Sequence, residues 1–277
     1  MFVHTGLMIL LAGVVCAKTL EKPHFTGNIN KSVSFLLFSD VHLDLMYKKT
    51  ADKRGFCRNE SIKSSHIASY GRVECDSPLS LLQNALSEMK PITKKLSKLD
   101  FILVPGDTSP HNLGKDTRAK ALKAILKTSE EIYSTFPDVP LFPCIGNNDL
   151  PRDYVMPDEN DTLYSDLLDI WQDAILCKHC DRKYQTTTLK ELRKTFLYGG
   201  YYSVSIVGGK MTLLILNSLY WSRPYWTPHS HVAQRALAQM DWLKEQFKLA
   251  RRNKRKIIIG GHISLGCVFS WSCTYLF

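Results

Sequence analysis

The chain has 277 residues, 44% of them hydrophobic and 22% charged, with a formal net charge of +10. This is an ordinary globular composition, and the length is enough to bury a large core in one domain. The positive balance is compatible with an anionic substrate. The basic runs themselves (Lys94, Lys95 and Lys98; Arg251, Arg252, Lys254 and Arg255) follow helical spacing without interleaved aromatics, so they read as solvated helix ends and argue against specific nucleic-acid binding.

The first 17 residues, MFVHTGLMILLAGVVCA, contain an apolar run of 11 residues from Gly6 to Cys16. That is short of the ~20 a membrane span needs. They read as a secretory signal cleaved after Ala17, with an uncleaved anchor as the alternative, followed by a short lead over 18–32. Asn30-Lys31-Ser32, Asn59-Glu60-Ser61 and Asn160-Asp161-Thr162 fit the glycosylation acceptor pattern. Of the 8 cysteines, 7 remain after that cleavage. Cys57 with Cys75 is the preferred disulfide, since the pair brackets a polar loop. Cys177-Lys178-His179-Cys180 reads as disulfide cysteine rather than a zinc knuckle, because the chain has no second such pair. These features point to the secretory pathway, with a secreted or lysosome- or vacuole-like destination.

Residues 33–39 (VSFLLFS) form a continuous apolar run, as expected of a strand covered on both faces, and end in Asp40-Val41-His42. A polar loop runs to about residue 76. Helical spacing follows over 77–99, with Ser77 as cap, Pro78 in the first turn and a bend at Pro91. The strand 101–104 ends in Pro105-Gly106-Asp107, and a helix over 117–135 leads to a strand over 141–145 and the turn Gly146-Asn147-Asn148-Asp149. A helix around 162–176, a hairpin of strands 201–207 and 211–217 about Gly208-Gly209, a helix over 233–252 and a strand over 256–259 complete the order. The last strand ends in Gly260-Gly261-His262. Alternating strands and helices predict an α/β sheet with its functional loops at the carboxyl ends of the strands.

Those ends carry Asp40, His42, Asp107, Asn147 and His262, oxygen and imidazole groups suited to hard or borderline divalent metals. Their order resembles the calcineurin-like metallophosphoesterases, carried by Asp40-Val41-His42, Gly106-Asp107, Gly146-Asn147-Asn148-Asp149 and Gly261-His262. Within that family the acid sphingomyelinase-like branch is indicated by Tyr70-Gly71 with Cys75-Asp76-Ser77-Pro78, by His111, by Gly200-Tyr201-Tyr202-Ser203, by Leu216-Asn217-Ser218 and by Gln239-Met240-Asp241-Trp242-Leu243. The resemblance spans roughly residues 33–266. It implies a four-layer αββα sandwich over 33–277, with its C-terminal part missing, around two divalent ions, zinc in this branch. Asp40 and His42 would hold one ion, Asp107 would bridge, and Asn147 with His262 would hold the second. A hydroxide between the ions would attack phosphorus in line, with no protein nucleophile.

The sequence departs from the family pattern twice. No Gly-His-x-His turn follows His262, so each ion would lack one histidine; His229 and His231 are weak substitutes on a Pro-rich loop. The turn also has Asn148 where the family carries a histidine. An amide can bind a phosphate oxygen but cannot serve as a general acid, which passes that work to His111 or to water. The Gly-Asn-Asn-Asp form is similar to the endopolyphosphatases. A phosphodiesterase is therefore the leading expectation, acting on a phosphodiester with a membrane-lipid surface as a candidate partner. A polyphosphate-cleaving enzyme and a non-catalytic, truncated binding protein are the alternatives.

Overall fold

The computed structural model describes residues 13–16, 33–96, 98–177, 180, 187–221 and 229–263. Apolar side chains fill both faces of β2 (Ser34–Leu37), β3 (Phe101–Val104) and β4 (Leu141–Pro143), and these strands pair in parallel in that order. Phe35 lies opposite Phe101 and Ile102 opposite Leu141. An antiparallel edge strand, β1 (Gly13–Cys16), joins β2 with Gly13 opposite Leu37. It lies within the segment expected to be a cleaved signal, so cleavage after Ala17 would leave β2 at the sheet edge; the rest of that segment lies outside the described residues. The second sheet joins a hairpin of β5 (Tyr202–Ile206) and β6 (Met211–Ile215) to β7 (Lys256–Gly260), which runs parallel to β6.

Strand periodicity decides how the layers stack. Phe35, Phe101, Leu103 and Phe142 from one sheet meet Tyr202, Val204, Leu213 and Ile215 from the other in the main core. Tyr202 donates its hydroxyl hydrogen to the Pro143 carbonyl across that interface at 2.9 Å. The alternate residues, Leu36, Ile102, Val104 and Leu141, are covered by Leu82, Leu86 and Met89 of α1 (Leu79–Thr93) and Ile132 of α2 (Thr117–Thr135). Leu214 and Leu216 on the far face of the second sheet pack against Leu243 of α5 (His231–Arg252). The order is the expected αββα. Helices α3 (Leu163–Leu176) and α4 (Leu189–Gly199) pack beside it, with Trp171 edge-on to Phe196 at 6.1 Å.

Beyond shifts of one or two residues at the ends of elements such as β4, β6 and α5, three details differ from the sequence reading. Ser77 does not cap α1: its N–H donates to the His42 carbonyl at 3.0 Å and its own carbonyl accepts from Asp44 N–H at 2.8 Å, so it pairs with the loop after β2. The helix ends at Thr93, with Pro91 in its last turn, rather than near residue 99. And α4 was not anticipated, although Thr188 and Glu191 form a capping box at its start.

Cys57 and Cys75 are disulfide-bonded, as expected, with Cα atoms 6.0 Å apart. Cys177 pairs with Cys180, while His179 lies outside the described residues. Cys144 is a free, buried thiol whose pKa is pushed up by burial. No helix among the described residues is long and apolar enough to cross a membrane.

Candidate metal centre

The loops that leave β2, β3 and β4 run side by side because the strands do. Asp40 N–H donates to the Gly106 carbonyl at 3.1 Å, His42 N–H to Asp107 at 3.0 Å and Leu43 N–H to Thr108 at 2.8 Å. Asp40, His42 and Asp107 take left-handed backbone conformations, with φ of 57°, 42° and 54°. Such conformations are unfavourable for residues with a side chain and persist where the surroundings fix them. Gly106 and Gly146 make the crossing of the loops possible. A Cβ on Gly146 would lie 2.1 Å from the Asp107 nitrogen, and one on Gly106 2.5 Å from the Gly146 nitrogen.

Beneath this crossing lies Asp149, fully buried and at the centre of the hydrogen bonding. One carboxylate oxygen accepts from Thr108 N–H at 2.9 Å, the Thr108 hydroxyl at 2.9 Å and Ser109 N–H at 3.0 Å. The other accepts from Asp107 N–H at 2.9 Å and Gly146 N–H at 2.8 Å. Burial and the Asp107 charge raise its pKa. Four of these five donors are backbone N–H groups, which only donate, and they favour the ionised carboxylate against that shift.

All five predicted ligands come together. Asp107 faces two ways: Oδ2 lies 3.7 Å from His42 Nε2, and Oδ1 lies 3.5 Å from His262 Nε2. Asp40 Oδ1 lies 3.8 Å from His42 Nε2, and the donor atoms of Asp40, His42 and Asp107 all fall within 4.8 Å of one another. His262 reaches across from the second sheet, 2.9 Å from Asn147 Oδ1. Asp107, His42 and Asn147 are buried, whereas the Asp40 side chain is 54% exposed, so that end opens to solvent.

The donor set fits metal ions. His42 Nδ1 lies 3.0 Å from the Ser109 carbonyl and His262 Nδ1 3.0 Å from the Pro105 carbonyl. A carbonyl only accepts, so each Nδ1 donates, and in a neutral ring Nε2 keeps a lone pair aimed at the cluster. Asn147 Nδ2 donates to Asp153 Oδ1 at 2.7 Å, which turns the amide oxygen towards His262. Two acceptors then face each other. A positive charge between them, a metal ion or an added proton, is what this arrangement calls for.

The other two predicted residues occupy different places. Asn148 does not present its amide to open space: its backbone N–H donates to Asp107 Oδ1 at 2.9 Å and its Nδ2 to Oδ2 at 2.7 Å, gripping the carboxylate from both sides. His111 stacks on His42 with ring centroids 4.2 Å apart. Its Nδ1 lies 2.8 Å from Asp76 Oδ1, its backbone N–H donates to Asp76 Oδ2 at 2.8 Å, and the hydrogen bond to Asp76 raises its pKa. Among the described residues, neither His229 nor His231 joins a group able to hold a metal; His231 Nε2 lies 4.0 Å from Asp158.

Sequence reasoning missed several residues that support the site. Asp153 carries no motif signal, while Asp149 and Asp76 stand inside recognised motifs that give them no role of their own. Ser218 accepts at Oγ from Ile263 N–H at 2.7 Å and so fixes the loop that carries His262. Asn217 and Gln239 exchange two hydrogen bonds, of 2.8 and 3.1 Å, tying α5 to the end of β6.

An αββα sandwich with imidazole, carboxylate and amide donors gathered at its strand ends defines a metallophosphoesterase. The calcineurin-like phosphoesterase profile matches residues 33–275, and the chain belongs to that family. The match continues past residue 266, the approximate end of the motifs that carry the resemblance. The chain is 28% identical over 272 residues to a protein of Bos taurus named cyclic GMP-AMP phosphodiesterase SMPDL3A, covering 93% of this chain and 54% of that one. It is 27% identical over 244 residues to the Dictyostelium discoideum sphingomyelinase phosphodiesterase C, covering 85% and 50%. The Schizosaccharomyces pombe endopolyphosphatase is 27% identical over 248 residues, covering 83% and 41%. The chain thus spans about half the length of the curated relatives it matches.

Proposed function

We propose that this chain is a metal-dependent phosphodiesterase that hydrolyses its substrate by in-line attack of water on phosphorus. The observation that carries the reading is Asp107, whose two oxygens face separate imidazoles at 3.7 and 3.5 Å. Asp40, His42 and Asp107 would hold one divalent ion, and Asp107, Asn147 and His262 a second; zinc suits this mixture of imidazole and oxygen. When bound, the ions supply the positive charge that polarises a phosphoryl oxygen and acidifies the attacking water.

The remaining work falls to the chain's own groups. Asn148 holds the shared carboxylate in its two-way orientation through both of its donors. With Nδ1 committed to Asp76, His111 keeps Nε2 to hold a proton for the departing alkoxide, and its half-exposed ring can reach a substrate. The raised His111 pKa favours the protonated, donating form. Asn148 is thereby assigned to positioning rather than to proton transfer.

A second reading, cleavage of phosphoanhydrides, draws on the Gly-Asn-Asn-Asp turn and the endopolyphosphatase relative. A phosphate leaving group needs little help from an acid. The disulfides and the exposed Asn59 and Asn160 support an oxidising, secretory location.

The test combines metal analysis of the purified chain with two assays, one for a chromogenic phosphodiester and one for polyphosphate shortening. About two divalent ions per chain with diester turnover is the expected result. Polyphosphate shortening alone selects the second reading. Fewer than one ion per chain with neither activity would overturn both and leave the non-catalytic binding protein.

A further inference from the structure

We propose that Arg58 is a positioning residue that fixes His111 for proton donation, acting through the clamp it forms on the His111 loop. The proposal rests on the reading of His111 as proton donor. Arg58 comes from the long loop after β2, remote in sequence from His111, and its side chain is only 14% exposed. Its Nη2 donates to the His111 carbonyl at 2.8 Å and its Nη1 to the Asn112 carbonyl at 2.6 Å. The same guanidinium donates through Nε to the buried Asp44 carboxylate at 2.7 Å and lies 3.5 Å from Asp76 Oδ2. Asp76 in turn holds both the backbone N–H and the ring of His111.

The rigid guanidinium fork matters here. It meets two adjacent carbonyls and two carboxylates at once, which a lysine ammonium on a flexible stem cannot reproduce. Position is imposed covalently as well. Arg58 and Asp76 each directly follow one partner of the Cys57–Cys75 disulfide. Ser77, next to Asp76, is hydrogen-bonded on both sides to the His42–Asp44 segment. The His111 ring is therefore held from its carbonyl by Arg58, from Nδ1 by Asp76 and on its face by His42. Rotation of the ring away from the site would break the Asp76 and His42 contacts, and losing the fork frees the two carbonyls beneath the ring, which leaves the backbone held at the His111 N–H by Asp76.

The test compares the intact chain with Arg58→Lys, His111→Ala and the double variant. Arg58→Lys keeps a positive charge beside the buried Asp44, so the fold is retained, and Arg58→Met checks that result without the charge. In the metal-free chain, the hydrogen-bonded Nδ1–H of His111 is expected as a protected proton resonance that is lost to exchange in Arg58→Lys. With metal, Arg58→Lys is expected to lower kcat for a diester with an alkoxide leaving group about 10-fold, leaving KM and an activated nitrophenyl diester within about 2-fold. The double variant should be no slower than His111→Ala alone. A resonance that survives in Arg58→Lys and Arg58→Met, equal loss on both diesters, or multiplicative losses in the double variant would overturn the role of Arg58 alone. Unchanged alkoxide turnover in His111→Ala would overturn the proton-donor reading, and the positioning role with it.

Discussion

The two halves of the candidate metal centre are built by different means. Asp40, His42 and Asp107 sit on loops after neighbouring parallel strands of one sheet, and backbone hydrogen bonds between those loops set their spacing. The other half exists only because His262 arrives from the second sheet, so its geometry depends on how the two sheets stack and on the Ser218 contact behind it. Strand register therefore governs the first half, while packing of one layer on another governs the second. The second half should be the more easily disturbed from a distance.

Substitutions can separate the halves. Asp107→Asn removes the group they share and should lower kcat by roughly 10³-fold with loss of both ions, measured by turnover and metal content, an effect beyond that of outer contacts. His262→Ala should cost about 10²-fold and release one ion of two, whereas His42→Ala should release the other. If each single variant lost both ions, the halves would not be separable. Asp153→Ala frees the Asn147 amide to rotate and should weaken the second ion about 10-fold without affecting the first, seen in competition with a chelator. Ser218→Ala is expected to cost about 1 kcal/mol in denaturant unfolding and to change second-ion affinity by only about 3-fold.

The gathering of the five candidate ligands was legible in the sequence because each lies close behind an apolar run. Strand β3 and helix α2 were read with their observed bounds, and Asp107 follows β3 by three residues. A single strand end carries little information, but five in family order carry a great deal. The supporting contacts were not legible. Asp149 acts on Thr108 and Ser109, and Arg58 on His111, across more than 39 residues in each case. Such contacts arise from the folding of loops onto one another, for which periodicity offers no signal. Ser77 shows the reverse error: its position before a helical pattern suggested a cap, yet its backbone was already committed to the loop after β2. Helix α4 carries its own signal, the Thr188–Glu191 capping box followed by the buried Leu192 and Phe196.

Cys144 lies in the main core, two residues before the Gly146 turn, and its thiol is both shielded from solvent and held protonated by burial. Alkylating reagents attack thiolates, so the native chain protects this sulfur while unfolding exposes it. Mass mapping of labelled Cys144 would thus report, at this one position, the opening of the sandwich beneath the candidate metal centre, with no dye or engineered probe. It would also separate loss of metal from loss of fold in any variant that proves inactive.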